Sequence, residues 1–319
     1  MDNLLITSAG RRVSLVKAFK KELKLFFPES KVFAVDLNPD LSAACYVADG
    51  YFKVGKVTDE NYINELLELC LKHHIKLIIP TIDTELQILA KNKQFFKDNG
   101  INVIVSDPCF VNICRDKRVT NSFFLEKGIL FPKVIDKTEN YFPIFIKPYD
   151  GSLSRDTFTV RKADELTAYH FSNPKLLFFE FIDPEFHDEY TLDMYYDKNN
   201  LLKCVVPRRR IETRGGEISK GLTVKNEIVE IVKEKLNFIE GAIGCITFQV
   251  FYNLEKKNLI GIEINARFGG GYPLSYLADA NFPRFLISEY LLGKDIEYFD
   301  NWKENTLMLR YDHEIIVQL

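Results

Sequence analysis

The segment CITFQVFYNLEKKNLIGIEINARFGGG, Cys245 to Gly271, holds the side chains best suited to chemistry. Side chains alternate along a strand, so Thr247, Gln249 and Phe251 share one face of its first half, and Glu263, Asn265 and Arg267 share one face of its second. A hairpin turning within NLEKKN would set an amide, a carboxylate, a second amide and a guanidinium side by side. Such oxygen ligands suit Mg2+, which takes one or two protein ligands and fills its shell with phosphates and water. RFGGGYP follows directly, and three successive glycines let the backbone approach a ligand or another strand closely.

Most remaining candidates are cations. In VPRRRIETRGGEISKG, Val206 to Gly221, strand alternation puts Arg208 and Arg210 on one face and turns Arg209 to water. Arg214, Glu217 and Lys220 are expected in a following loop, where Gly215-Gly216 permits a tight or mobile conformation. Lys117 begins a helix, where a cation opposes the helix dipole unless an anion is near, so it suits a phosphate. Lys147 ends the strand FPIFIKP. The loop after it, PYDGSLSRDT, offers Gly151, Ser152 and Ser154 to phosphate oxygens. LLFFEFIDPEFHDEYTLD, Leu176 to Asp193, runs from an apolar strand through a bend, where a purine could lie with a nearby carboxylate on its ribose.

The chain that must position these groups has 319 residues, 46% of them apolar, enough for two or three compact units. Lys and Arg number 42 against 45 Asp and Glu, a net charge of -3 that gives no general attraction to nucleic acid or an anionic membrane. MDNLLITSAGRR lacks the basic start of a signal peptide, and no apolar run is long enough to span a membrane. The six cysteines show neither CxxC pairs nor neighbouring histidines, which disfavours zinc and disulfides and points to the cytoplasm.

Residues 1–108 alternate strands (LLITSA, KVFAVD, KLIIPT, NVIVSD) with helices, among them one with Val13, Val16, Phe19, Leu23 and Phe26 on one side and one from about Asp83 to Lys97. That order predicts an α/β unit with a Rossmann-like parallel sheet. Beyond Asp107-Pro108 the pattern becomes α+β, with antiparallel pairs FPIFIKP/TFTVRK, EYTLDMYYD/LLKCVVPRRR and CITFQVFY/LIGIEINAR. Helices are expected near Asp116 to Lys127, Ala163 to His170, Asn226 to Asn237 and Phe282 to Leu292, and LMLRYDHEIIVQL reads as a closing strand with His313 structural. The expected divisions are 1–108, 109–182 carrying the lysines and phosphate loop, and 183–319 carrying the metal hairpin.

The order of lysine, lysine with a Ser/Gly loop, Glu-aromatic-aliphatic hinge, acid before a strand, and Gln followed fourteen residues later by Glu-x-Asn-x-Arg resembles the ATP-grasp superfamily. Within it the chain looks most like single-module relatives of the carbamoyl-phosphate synthase large subunit. The resemblance spans nearly the whole chain and implies a pre-ATP-grasp domain followed by an ATP-grasp fold of two subdomains. It implies that Lys117, Lys147 and Ser152 contact ATP phosphates, that Glu180 and Ile182 border adenine, and that Glu189 holds ribose, with Glu185 and Asp188 as alternatives. It further implies that Gln249, Glu263 and Asn265 place Mg2+ and that Arg267 meets the transferred phosphoryl group. Arg208, Arg210 and Lys220 are then expected to serve an acyl phosphate, and Ser8, Gly10 and Arg11 a substrate.

The activity implied is an ATP- and Mg2+-dependent carboxylate-amine ligase acting on small molecules, without nucleic acid or membrane, in a possible homodimer. A kinase that releases its phosphorylated product, a carbamoyl-phosphate synthase fragment and a non-catalytic nucleotide-binding regulator are the other readings. A dinucleotide-dependent dehydrogenase is disfavoured because TSAGRR after the first strand is not G-x-G-x-x-G.

Overall fold

The computed structural model describes residues 2–151 and 156–318, so the expected phosphate ligands Ser152 and Ser154 lie outside the described residues. The first unit is a parallel sheet of β1 (Asn3–Ile6), β2 (Val32–Asp36), β3 (Gly50–Lys53), β4 (Ile75–Ile79) and β5 (Asn102–Val103), in the order β3-β2-β1-β4-β5. β1 and β4 are nearly continuous apolar runs because helices cover both faces of such a sheet. The helix Val13–Phe26 buries Leu15, Val16, Phe19 and Leu23 at helical spacing, while Phe26 is exposed. The single helix expected from Asp83 to Lys97 is instead two, Asp83–Lys91 and Lys93–Asp98. Asn92 separates them, its side-chain amide donating to the Ile88 carbonyl at 2.8 Å and ending the first.

Past Asp107 the chain does not pass straight to strands. Helix Pro108–Arg115 opens with proline in its first turn, and Lys117–Glu126 follows with the Asp116 side chain accepting from the Arg118 backbone N-H. A small antiparallel sheet then contains β6 (Val134–Ile135), β7 (Ile144–Pro148), β8 (Phe158–Val160) and β9 (Leu176–Glu180), ordered β6-β9-β7-β8. The helix expected over Ala163 to His170 forms at Ala168–Ser172.

The large sheet has β10 (Asp188–Tyr196), β11 (Leu202–Arg214), β12 (Glu217–Thr223), β13 (Gly244–Asn253), β14 (Asn258–Asn265) and β15 (Leu307–Leu309), ordered β14-β13-β10-β11-β12-β15 and antiparallel throughout. Helices Ile228–Leu236 and Phe282–Tyr290 form close to their expected places. Two expectations fail here. Arg214 to Lys220 is not a loop, because β11 and β12 continue to a two-residue turn at Gly215-Gly216, whose φ values of 58° and 78° suit glycine. The closing strand stops at Leu309, and the guanidinium of the next residue, Arg310, reaches Glu217 and the Gly270 carbonyl.

One apolar core runs from the parallel sheet into the large sheet, whereas the small sheet has its own, including Ile135, Ile144, Ile146 and Phe178. The shared core is reinforced by Glu22 on Val13–Phe26, buried to 1% exposure, which accepts from Tyr276 Oη at 2.9 Å and Arg284 Nε at 2.8 Å. Burial opposes its charge, yet bonds from Asn281, Tyr276 and Arg284 outweigh it and hold the carboxyl below its usual range. A depressed folded pKa contributes stability above the ordinary carboxylate range and loses it as pH falls through the folded value. Glu22→Ala should therefore cost about 1–3 kcal/mol at neutral pH in urea unfolding. The gap to wild type should narrow below roughly pH 4. An equal gap at both pH values would remove the electrostatic account.

Candidate active site

The register of the large sheet makes one row out of residues far apart in sequence. Glu263 pairs with Gln249, Gln249 with Thr191, Thr191 with Arg208 and Arg208 with Thr223, so five strands present these side chains on one face. In the next row Asn265 faces Thr247 and Thr247 faces Asp193. The expected hairpin thus brings Gln249, Glu263 and Asn265 together. Glu263 Oε1 accepts from Gln249 Nε2 at 3.0 Å and from Asn265 Nδ2 at 2.9 Å. Arg267 is held by Asp83 of the first unit at 2.7 Å, with Asn265 Oδ1 at 3.4 Å.

This face forms one wall of a cavity of roughly 890 Å³, closed on the other side by the small sheet. Lys147, at the end of β7, and Lys117, at the start of its helix, both line it and are both buried. Lys117 Nζ donates to the Gly151 carbonyl at 2.9 Å and stands 3.9 Å from Glu263 Oε2. Burial pushes the Lys147 ammonium down to about 8, nearby Glu263 opposing this and Lys117 adding to it. Phe145, Phe179, Phe181 and Ile182 give the cavity an apolar end. Glu180 borders it and accepts from the Lys133 backbone N-H at 2.8 Å.

Of the three acids weighed for ribose, Asp188 and Glu189 line the cavity, while Glu185 is an exposed residue of the preceding loop outside it. Burial and Glu263 push the Glu189 carboxyl up, with Arg210 opposing.

The three arginines divide by alternation. Arg209 is half exposed and pairs with Asp188 at 3.0 Å, whereas Arg208 and Arg210 point to the opposite side. Arg210 Nε lies 3.1 Å from Glu189 Oε1 and its Nη1 donates to Thr191 Oγ1. Arg208 departs from the expected role of an open catalytic cation. It is 1% exposed, and Nε and Nη2 are spent on Asp193 at 2.7 and 2.9 Å, so only Nη1 remains without a partner. Lys220 does not reach the cavity. Irregular pairing around Glu212 breaks the alternation, and the exposed Lys220 ammonium pairs with Glu212 at 2.6 Å.

The glycine run explains how this end closes. A Cβ at Gly271 would stand 2.1 Å from Arg208 Nη1, and one at Gly270 would stand 2.6 Å from the Glu217 carboxylate. Of the residues expected to serve a substrate from the first unit, Ser8 Oγ donates to Glu85 at 2.8 Å, the Gly10 N-H donates to Asp36 at 2.9 Å, and Arg11 is exposed. Arg12, not singled out from sequence, lines the cavity instead. Asp193 and Arg310 were missed as well. For Asp193 a signal existed, an acid in the middle of EYTLDMYYD on the face shared by Glu189 and Thr191.

Among the described residues no cluster of three His, Cys, Asp or Glu side chains could hold a metal unaided. One carboxylate with two amides on a shared face nevertheless fits Mg2+, whose remaining ligands would be phosphate oxygens and water.

Residues 4–104 match a family model described as PylC-like, N-terminal domain, and residues 172–312 match one described as ATP-grasp in the biosynthetic pathway with Ter operon. No curated protein sequence matches. The chain is similar to the biotin carboxylase–β-γ-ATP complex from Campylobacter jejuni, at 14% identity and a TM-score of 0.72 over 96% of this chain and 74% of that one. It is similar to the biotin carboxylase domain dimer of Hydrogenobacter thermophilus 2-oxoglutarate carboxylase, in complex with MgADP, ADP and bicarbonate, at 15% identity and 0.69 over 95% and 73%. It is also similar to L-amino acid ligase from Bacillus licheniformis, at 16% identity and 0.69 over 93% and 75%. At these identities the likeness is one of fold, a parallel-sheet unit followed by an antiparallel region.

The site's geometry depends on the dry Arg208–Asp193 pair. Asp193→Ala should destabilise the chain by about 3–5 kcal/mol in urea unfolding, because it strands a buried guanidinium. A loss below about 1 kcal/mol, the range of an exposed pair, would show that the pair is dispensable.

Proposed function

We infer that this chain, which has the fold of the ATP-grasp superfamily, is an ATP- and Mg2+-dependent ligase that joins a small carboxylate to an amine. The supporting observation is the row Glu263–Gln249–Thr191–Arg208 facing, across one cavity, the buried lysines Lys117 and Lys147. That cavity combines an apolar slot with phosphate-binding cations and an oxygen-rich hairpin.

In this reading adenine lies against Phe179, Phe181 and Ile182 with Glu180 at its edge, and Glu189 faces the ribose. Lys117 and Lys147 neutralise phosphate oxygens. Gln249, Glu263 and Asn265 would hold Mg2+, which would supply positive charge to offset that of the phosphates. A carboxylate attacking ATP brings two anions together, so positioning and charge neutralisation are the main tasks. Arg267, fixed by Asp83, and Arg210, fixed near Glu189, supply planar cations for the γ-phosphoryl group and the attacking carboxylate. The carboxylate oxygen bonds to phosphorus as the bond to ADP breaks. The amine then attacks the acyl carbon, loses a proton, and phosphate departs. A homodimer is the proposed assembly, supported by the dimer named for the Hydrogenobacter thermophilus domain.

Hydroxylamine traps acyl phosphates whatever the natural amine. ATP, Mg2+, hydroxylamine and a panel of carboxylates should give hydroxamate and ADP, and Glu263→Ala should lower the rate by ~100-fold or more. Wild-type protein that binds ATP yet forms neither hydroxamate nor amide would sink the ligase reading, and a released phosphorylated product would replace it with a kinase. Lys147 adds a pH signature. ATP favours the charged ammonium, so binding near pH 8 should take up a proton, and affinity should fall as pH rises past about 8. Calorimetry in buffers of different ionisation enthalpy measures that uptake, which Lys147→Met should remove.

A further inference from the structure

The hairpin that suits Mg2+ is already answered by the protein's own donors. Glu263 Oε1 accepts an N-H from Gln249 at 3.0 Å and another from Asn265 at 2.9 Å, and Glu263 Oε2 faces the Lys117 ammonium at 3.9 Å. Asn265 Oδ1 is engaged too, by Arg267 Nη2 at 3.4 Å. Both amides therefore turn hydrogens toward the hairpin carboxylate. A metal ion at Glu263 has to compete with an ammonium and with two amide N-H groups.

Lys117 is not a free surface cation. It is buried, its backbone N-H donates to the Tyr149 carbonyl at 2.9 Å, and its Nζ donates to the Gly151 carbonyl at 2.9 Å. An ammonium held there needs an anion. Of the acids lining the cavity, Asp188, Glu189 and Glu217 are paired with Arg209, Arg210 and Arg310, and Glu263 is the one within ion-pair reach of Lys117.

The charge of the whole wall points the same way. Among the described residues that line the cavity, Lys and Arg number seven and Asp and Glu five. A free divalent cation entering it meets an excess of like charge, whereas a polyphosphate meets attraction.

We propose that Lys117 is the resident counter-cation of Glu263, so that the hairpin rejects free divalent metal and accepts it only together with a nucleotide, whose phosphates draw the ammonium off the carboxylate. The inference rests on the proposed placement of metal at Glu263 and phosphates at Lys117, and not on the ligase chemistry. Lys117 thereby selects the metal-nucleotide complex over either component. The selection is reciprocal, since whatever favours the metal once phosphates are bound favours phosphates equally once the metal is bound.

Mn2+ titrated into the protein without nucleotide, with the free ion followed by electron paramagnetic resonance, tests this directly. Lys117→Met should bind Mn2+ at least ~10-fold more tightly than wild type, Lys117→Arg should not, and Glu263→Gln added to Lys117→Met should abolish the gain. Lys117→Gln removes the same charge with a polar side chain and replaces the methionine variant if near-ultraviolet circular dichroism shows that one misfolded. A second arm starts from the other half of the pair. In EDTA, Glu263→Gln should bind a non-hydrolysable ATP analogue ~5-fold or more tightly than wild type, because Lys117 is released to the phosphates. The proposal is overturned if removing the Lys117 charge leaves Mn2+ affinity unchanged, including no binding by either protein, if Lys117→Arg gains as much, if the gain survives Glu263→Gln, or if the second arm shows no tightening. Neither arm contains a carboxylate or amine substrate. Hydroxamate formation without these gains would remove this proposal and keep the ligase reading, and the gains without hydroxamate would do the reverse.

Discussion

Two opposite charges, Arg208 and Asp193, lie almost wholly out of water in the middle of the large sheet. Neither ion can be there alone, because the desolvation of either would cost several kcal/mol without the other. Ser275 donates to the same Asp193 oxygen at 2.6 Å, which ties helix Tyr272–Leu277 to the pair. Gly271 must then pass close to Arg208 Nη1, and no side chain fits there. One ion pair therefore fixes the sheet, the glycine run and the following helix relative to one another.

From that anchor the register distributes chemistry across the sheet. β10 pairs with both β11 and β13, so Thr191 stands between an arginine and a glutamine that are 41 residues apart. Each antiparallel pairing keeps directly opposed side chains on one face, and a one-residue slip would turn the whole set away from the cavity. Among the described residues, the parallel-sheet unit adds Arg12 to the wall and supplies, behind it, the Asp83 that orients Arg267. Most of the cations are thus already neutralised by the protein. The few that are not carry the greatest information about what binds.

Local pattern in the sequence sufficed where the chain is locally regular. Alternation separated Arg209 from Arg208 and Arg210, and it grouped Gln249, Glu263 and Asn265, because β11 and β13–β14 are regular at those positions. It failed at Arg214 to Lys220, where two strands continue through a stretch that reads as a loop, and at Asp83 to Lys97, where the Asn92 side chain ends a helix inside an otherwise continuous pattern. Arg208 was placed on the correct face yet misjudged in state, since its partner sits on another strand and nothing in RRR announces a buried acid fifteen residues earlier. Arg12 was hidden by its neighbour. Adjacent arginines look alike in sequence, and only the turn after β1 decides which enters the cavity.

The division of apolar cores has a mechanical meaning. The parallel sheet and the large sheet share one continuous interior, pinned further by Glu22, whereas the small sheet has a separate cluster that includes Ile135, Ile144, Ile146 and Phe178. Bending inside the shared interior would break close packing, but tilting the small sheet would leave both interiors intact. The boundary between the two interiors runs along the mouth of the cavity, with Lys147 on one side and Glu263 on the other. Opening and closing that boundary changes the separation of a cation and an anion, so its stiffness depends on ionic strength when the mouth is empty and on the charge of whatever lies between them when it is filled.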